Sequence, residues 1–398
     1  MIAGLPMPVA ANSHPSHALH VLTLTPFYPT EQDDAQGCFV AEPLPAVEQN
    51  GIANTVLAVE PFYRARSSPR PSGVPAHWTR FPAFPGRFGL PSAGAFLFAR
   101  ILRKVRRIHG SHPFHVIHAH SALPCGHAAA LLGRELGIPF VVTVHGLDAF
   151  STIQAGGYAG PWSKRISRLV YRSAKRVICV SEKVREQVLQ GAAAEVHTTV
   201  IYNGVDPQAF APAKDGSASR VILSVGNLIP TKGHALLLRA FAAALRGFPD
   251  SSCEIIGVGP ELPRLRALAS QLKIGENVHF LGRRSRIQVA DAMRRCVLFA
   301  LPSRYEGLGC VYLEAMSTAK PVIACRGQGI EEIIHHRSNG WLVGPEDLPE
   351  LTDGLSILLH DVELQGRLGD DARQTIVQGF TLSHQAELLA ELYRNFRQ

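Results

Sequence analysis

The chain has 398 residues, 46% of them hydrophobic and 18% charged, which excludes a disordered polymer and is too long for one ordinary core, so two domains are expected. Its formal net charge of +8 sits in one half: residues 1–205 hold 19 Lys and Arg against 11 Asp and Glu, whereas residues 206–398 hold 21 of each sign. A basic half of this kind suits an anionic lipid surface, a phosphorylated acceptor or a nucleic acid.

Apolar runs alternate with helical patterns along the chain. His20–Thr25 reads as a strand stopped by Pro26, and Asn54–Val59, Val116–Ala119, Phe140–Val144, Arg176–Val180 and Thr199–Tyr202 read as further strands. Ala128–Leu136 is helical and ends at Gly137, a C-cap residue. The segment 61–92, rich in Pro, Gly and Arg, is expected to be a mobile connection, and 206–219 reads as a linker. The pattern then restarts with Arg220–Gly226, Ser252–Gly257, Val278–Leu281, Val297–Leu301 and Pro321–Ala324. A last amphipathic helix, about 383–396, carries Leu388, Leu389, Leu392 and Tyr393. Near-continuous apolar strands separated by helices predict an α/β fold with two Rossmann-like, doubly wound parallel sheets, over 1–205 and 220–382. The last helix is expected to pack back onto the first domain. Ligands of such sheets bind at the carboxyl ends of the strands, in the cleft between the domains.

Seven cysteines, Cys38, Cys125, Cys179, Cys253, Cys296, Cys310 and Cys325, contain no Cys-x-x-Cys pair, which fits reduced cytosolic thiols better than a disulfide scaffold or zinc ribbon. Residues 1–17 lack the basic and apolar regions of a signal peptide. No stretch reaches the roughly 18 apolar residues of a membrane span. A cytoplasmic location is expected, with any membrane approached from its inner face.

The most specific feature is Glu306-Gly307-Leu308-Gly309-Cys310-Val311-Tyr312-Leu313-Glu314, directly after the strand end Leu301-Pro302-Ser303. The glycines let backbone N–H groups approach an anion, and a helix starting there favours phosphate at its positive end. Glu306 is placed in the loop and Glu314 about two turns into the helix, where a carboxylate can accept hydrogen bonds from both ribose hydroxyls. The plain alternative is a solvated helix face behind a tight turn.

Glu306-x7-Glu314, with Pro302-Ser303 ahead of it, resembles the signature of retaining glycosyltransferase family 4, of the GT-B fold. Other segments resemble family elements in family order: Gly226-Asn227-Leu228 with Lys232-Gly233, Gly257-Val258-Gly259, Phe280-Leu281-Gly282, Gly329-Ile330-Glu331-Glu332 and Asn339-Gly340. In the first half, Thr143-Val144-His145-Gly146-Leu147-Asp148, Val180-Ser181 and Tyr202-Asn203-Gly204-Val205-Asp206 do the same. The resemblance implies transfer of a hexosyl group from a UDP- or GDP-sugar to a saccharide or lipid-linked saccharide, in cell-surface polysaccharide or glycolipid synthesis. It also implies retention of anomeric configuration and no cofactor or metal, because cations and helix N-termini neutralise the leaving diphosphate.

Residue by residue, the resemblance implies that Lys232 pairs with the diphosphate, Glu314 holds the ribose and Glu306 contacts hydroxyls of the transferred sugar. Backbone groups of Gly307, Leu308, Gly309, Cys310 and Val311 lie near sugar and phosphates, and Gly37 offers its backbone to the diphosphate. His145 faces the donor sugar from the first domain, with Asp148 and His120 on the acceptor side. Gly257, Leu281, Gly282 and Arg283 border the base. Two positions depart from the family pattern. Asn227 stands where the family often has Arg, leaving Lys232 alone or with Arg283, Arg284 or Arg304 in compensation. Gln36-Gly37-Cys38 replaces two adjacent glycines.

Other readings compete. His118-x-His120 with Cys125-x-His127 offers zinc-type ligands, but in no metal-binding spacing. A dinucleotide oxidoreductase needs Gly-x-Gly-x-x-Gly after its first strand; Thr25-Pro26-Phe27-Tyr28-Pro29 stands there instead. A non-catalytic nucleotide- or nucleic-acid-binding protein has no use for two cleft glutamates, which repel phosphate, so no nucleic-acid partner is expected. A nucleotide-sugar epimerase on the same fold is the remaining alternative. Two basic amphipathic stretches, around Leu97–Ile108 and Trp162–Arg176, suggest contact of the first domain with an anionic membrane surface.

Overall fold

Uncharged apolar runs become strands covered on both faces. The computed structural model describes residues 19–64, 74–85, 89–146, 148, 159–192, 195–213 and 220–396. Residues 1–17, parts of the 61–92 and 206–219 segments, and Leu147 of the His145 motif lie outside the described residues.

In the first domain, β1 (Leu19–Thr25) is followed by helices α1 (Cys38–Ala41) and α2 (Leu44–Gln49), β2 (Ile52–Pro61), β3 (Ala76–Phe81) and α3 (Leu90–Ser111). Then come β4 (Val116–His120), α4 (His127–Leu136), β5 (Phe140–Val144), α5 (Ala159–Ser173), β6 (Arg176–Cys179), α6 (Glu182–Ala192) and β7 (Thr198–Val200). The strands form one parallel sheet in the order β3-β2-β1-β4-β5-β6-β7. Gly137 ends α4 in the left-handed region, the conformation a C-cap glycine adopts without penalty.

The second domain runs through β8 (Val221–Val225), α7 (His234–Ala244), β9 (Ser252–Ile256), α8 (Leu262–Gln271), β10 (Val278–Gly282), α9 (Arg286–Arg295) and β11 (Leu298–Ala300). It continues with α10 (Cys310–Ser317), β12 (Val322–Cys325), β13 (Trp341–Val343), α11 (Leu348–His360) and α12 (Val362–Gly379), before α13 (Leu382–Arg394). Its parallel sheet has the order β10-β9-β8-β11-β12-β13. In each sheet the strand order reverses beside the first strand, at β1/β4 and at β8/β11, and these switch points face each other across the cleft.

One expectation is corrected and another gains a detail. The 61–92 segment is not simply a connection: Ala76–Phe81 pairs with Val56–Pro61 as an edge strand. The segment read as a linker contains Phe210, which is buried in the core between the domains. Helix α13 buries Ala386, Leu389, Ala390 and Tyr393 against Leu19, Val21, Val116, Val141 and Ile178 of the first sheet. The chain thus returns to the first domain, crossing beside its outgoing strand where Leu382 N–H donates to the Val205 carbonyl at 3.1 Å.

No described helix is long and apolar enough to cross a membrane. The two basic helices differ. In α3, Leu97, Ile101 and Val105 are fully buried and Phe98, Leu102 and Ile108 pack against them, so its apolar face belongs to the core. In α5, Ile166 and Val170 are buried while Trp162 and Leu169 are 53% and 57% exposed.

Candidate active site

The glutamate pair is held by two loops pinned back to back. A Cβ on Gly233, in the loop after β8, would lie 2.0 Å from the Pro302 carbonyl oxygen, and the Arg304 N–H donates to the Thr231 carbonyl at 2.8 Å. This contact delivers Lys232 to Glu306. The lysine ammonium donates to Glu306 Oε1, which also accepts from Ser303 Oγ at 3.1 Å. Gln328 Oε1 accepts the Glu306 N–H at 3.0 Å. Glu306 is therefore a buried, oriented carboxylate with a cation beside it.

Gly309, at φ 87°, turns the chain into α10, a conformation that favours glycine. Cys310 and Val311 open the helix, where first-turn N–H groups have no intrahelical acceptor. The Leu308 side chain is buried in the core, so only its backbone can face a ligand. Glu314 is the fifth residue of α10, a little over one turn in rather than two. It is also no solvated carboxylate: it is buried, and its Oε1 accepts from Arg286 Nη1. The plain alternative of a solvated helix face therefore fails at Glu314.

From the first domain comes His145, at the end of β5. Its carbonyl oxygen abuts Gly307, where a Cβ would meet it at 2.2 Å. Its ring packs on Phe39 with centroids 4.6 Å apart, and its Nε2 shares a 3.1 Å hydrogen bond with His120 Nδ1. Asp148 acts on the backbone, accepting the His145 N–H at 2.8 Å. Behind His120, His118 is bonded through Nδ1 to Tyr393 Oη at 2.5 Å and through Nε2 to Thr143 Oγ1 at 2.6 Å. Both His118 nitrogens are thereby taken, which argues against the zinc reading. Among the described residues no group of three or more His, Cys, Asp or Glu is placed to hold a metal.

The remaining expected residues line the cleft further out. Gly37, at φ 69°, packs against Phe27, where a Cβ would clash at 2.4 Å, and leads into α1. Gly257 N–H donates to the Gly282 carbonyl at 2.9 Å, closing the ends of β9 and β10 beside Leu281. Asn227 is exposed past β8. The candidate compensating cations have other partners: Arg283 pairs with Asp33, Arg304 with Glu346 and the Pro230 carbonyl, and Arg284 with the Arg283 carbonyl.

Sequence reasoning missed Arg286 and Glu42. Arg286 begins α9 behind the capping box of Ser285 and Gln288, a motif visible in the sequence. A cation in a first helical turn opposes the macrodipole, which is the one local sign that carboxylates must lie near it. Glu332, singled out in sequence only as part of the Gly329-Ile330-Glu331-Glu332 segment, accepts the N–H groups of Glu182 and Lys183 at 2.7 and 2.9 Å and the Tyr202 hydroxyl at 2.9 Å, tying the second domain to the first.

Burial holds the histidines neutral. It lowers His118 and His145 to about 3 and His20 and His234 to about 4, and puts His120 well below its usual range. Burial pushes Asp148 up to about 6 and Glu42 up to about 7. His118, His145, His20 and His234 take a proton near pH 6.5 when unfolded but only near pH 3–4 when folded, and His120 shifts in the same direction, so the unfolded state binds more protons between these limits. The histidine contribution is intact above about pH 6.5 and is lost as pH falls toward 4. The raised carboxyls, Asp148, Glu42 and Glu48, act oppositely but are fewer. Urea midpoints should therefore fall between pH 7 and 5; a flat or rising series would contradict this balance.

Residues 207–375 match the family described as Glycosyl transferases group 1, and residues 40–209 match Glycosyltransferase Family 4. An uncharacterised glycosyltransferase of Methanocaldococcus jannaschii is 30% identical over 259 residues, 65% of this chain and 69% of the relative. The alpha-D-kanosaminyltransferase of Streptomyces kanamyceticus is 28% identical over 374 residues, 86% of this chain and 95% of the relative. Among solved structures, Anabaena HepE in complex with UDP and glucose superposes with a TM-score of 0.71 at 21% identity, covering 95% of this chain and 100% of that one. With both halves matched in order, the chain belongs to the group 1 glycosyltransferases of family 4, enzymes of the GT-B fold whose members use nucleotide sugars.

Proposed function

We propose that this chain moves a hexosyl group from a UDP- or GDP-sugar to a saccharide or lipid-linked saccharide, with retention, without a metal, in polysaccharide or glycolipid synthesis. The observation that carries this reading is the pairing of Lys232 with Glu306 at the switch point of the second sheet, next to Gly307, which abuts the His145 carbonyl of the first domain. In the free enzyme the ammonium is neutralised by Glu306. A donor diphosphate entering the cleft brings its own negative charge, so Lys232 can turn to the leaving group while Glu306 accepts sugar hydroxyls. Such a cation stabilises charge as it develops on the diphosphate. The neutral His145, backed by His120, offers a ring nitrogen without desolvating a charge. HepE, which binds UDP and glucose, supports a uridine donor.

A thermal-shift panel of UDP, GDP and ADP and their sugars tests the donor, because a ligand of the native state alone raises its melting temperature. Activity on the sugar so found is expected to survive exhaustive EDTA treatment. Complete loss restored by Mn²⁺ or Zn²⁺ would overturn the metal-free reading.

The acceptor is proposed to lie at an anionic membrane surface, reached by α5. Trp162 and Leu169 project there, with Arg165 and Arg172 exposed on the same helix. Each Lys or Arg near such a surface contributes about 1 kcal/mol. The protein should sediment with anionic vesicles at low salt, less at high salt, and less as Trp162→Ala. Equal recovery in the supernatant with anionic and zwitterionic vesicles would make a soluble acceptor the better reading.

A further inference from the structure

Arg286 joins the two domains through one guanidinium. Its Nε and Nη2 donate to Glu42 Oε1 and Oε2 at 2.9 and 2.8 Å, a two-point bond to the first domain. Its Nη1 donates to Glu314 Oε1 in the second. Asp34 of the first domain accepts the Arg286 backbone N–H at 3.0 Å, and the Phe210 ring lies 4.9 Å beneath the guanidinium. The side chain is 13% exposed. A planar fork bonded along one edge to Glu42 has its third nitrogen fixed in direction, a constraint that a lysine ammonium does not impose. A cavity of about 400 Å³ lies at the seam, lined by Arg286, Glu42, Phe210 and Ile287, and by neither Lys232, Glu306 nor Glu314. Arg286 therefore stands between this space and the glutamate.

We propose that Arg286 is a positioning residue of the donor site, orienting the Glu314 carboxylate for the ribose diol and doing so while Glu42 holds its other edge. The proposal rests on the reading of Glu314 as the ribose ligand. A carboxylate left to rotate must be ordered at the moment of binding, and that ordering weakens the complex. With Arg286 on Oε1, the diol is received on Oε2 by a group already aimed. Because Glu42 belongs to the opposite domain, the donor is held firmly in the closed cleft and loosely in an open one. Product nucleotide is then released by opening, without a change in its own contacts.

The test uses the full chain and whichever of UDP, GDP or ADP binds it, with the 2′,3′-dideoxy form of that nucleotide as control. Glu42→Gln and Arg286→Met are expected to weaken nucleotide binding and raise the donor KM about tenfold, the loss of one charge-assisted hydrogen bond. The acceptor KM and the kcat at saturating donor should stay near wild type, and Arg286→Lys should fall between. A merely structural role would move kcat and both KM values together. Glu42→Gln, a conservative change on the first domain, keeps the test decisive should Arg286→Met fold poorly. Wild type should prefer the ribose nucleotide over its dideoxy form, and Glu314→Gln should erase the preference. If Glu314→Gln retains it, the ribose reading fails and the proposal with it. If Glu314→Gln erases it while Glu42→Gln and Arg286→Met bind and discriminate like wild type, the positioning role alone is overturned.

Discussion

Replacing Lys232 with alanine is expected to lower kcat/KM for the donor by about 10²–10³-fold, about 2.7–4 kcal/mol, the usual loss when one preorganised charge-stabilising donor is removed. The lysine side chain is 20% exposed, so it can reach an entering diphosphate, yet the Gly233–Pro302 contact fixes where it starts. Removing it also leaves Glu306 buried with Ser303 and without its cation, and an unpaired buried carboxylate destabilises a fold. The melting temperature should therefore drop as well. Lys232→Arg, which keeps a cation, separates the effects: stability should return while the rate recovers only in part, because the guanidinium is larger and planar. A Lys232→Ala enzyme within a few-fold of wild-type kcat/KM would remove the lysine from the chemistry.

Gly307→Ala should be nearly as damaging for a different reason. A Cβ there would sit 2.2 Å from the His145 carbonyl and 3.0 Å from the Gly146 Cα, all backbone atoms of the opposite domain. Neither side has a flexible end that could move aside, so the domains must separate. A displacement of about 1 Å at a reacting centre can cost about 10²-fold, and kcat should fall by about that factor. Nucleotide affinity should fall less, since Lys232 and Glu314 stay in the second domain. The melting temperature should fall as well, because the core around Phe210 is shared by the two domains and opens when they separate. Steady-state kinetics, nucleotide titration and small-angle scattering check this, and an unaltered kcat would show that the cleft works without His145 meeting Gly307.

The features that sequence reasoning reached share a physical cause: they are local. Leu19–Thr25 and Phe140–Val144 declare themselves as strands because burial on both faces demands uncharged runs. The Glu306–Glu314 spacing lies within one turn and one helix. Ala76–Phe81 escaped because it is an edge strand, where polar and charged residues such as His77 and Arg80 are tolerated and blur the apolar pattern. Trp341–Val343 escaped because three residues carry too little pattern. Glu42 and Arg286 are 244 residues apart and meet only in the closed cleft. The burial of Glu314 follows from that same meeting. Local pattern places a carboxylate on a helix; only the tertiary structure supplies the partner that orients it.

Helix α13 has a consequence for how the protein is made. The first sheet emerges early from the ribosome, but the surface formed by Leu19, Val21, Val116 and Ile178 lacks part of its cover until Ala386, Leu389, Ala390 and Tyr393 arrive, after the second domain has been made. Domains made first usually fold first during synthesis; here the earlier one must wait, with an apolar patch exposed, while the later one is completed. His118 likewise lacks the Tyr393 hydroxyl throughout that interval. Loss of α13 would injure the half of the molecule farthest from it in sequence.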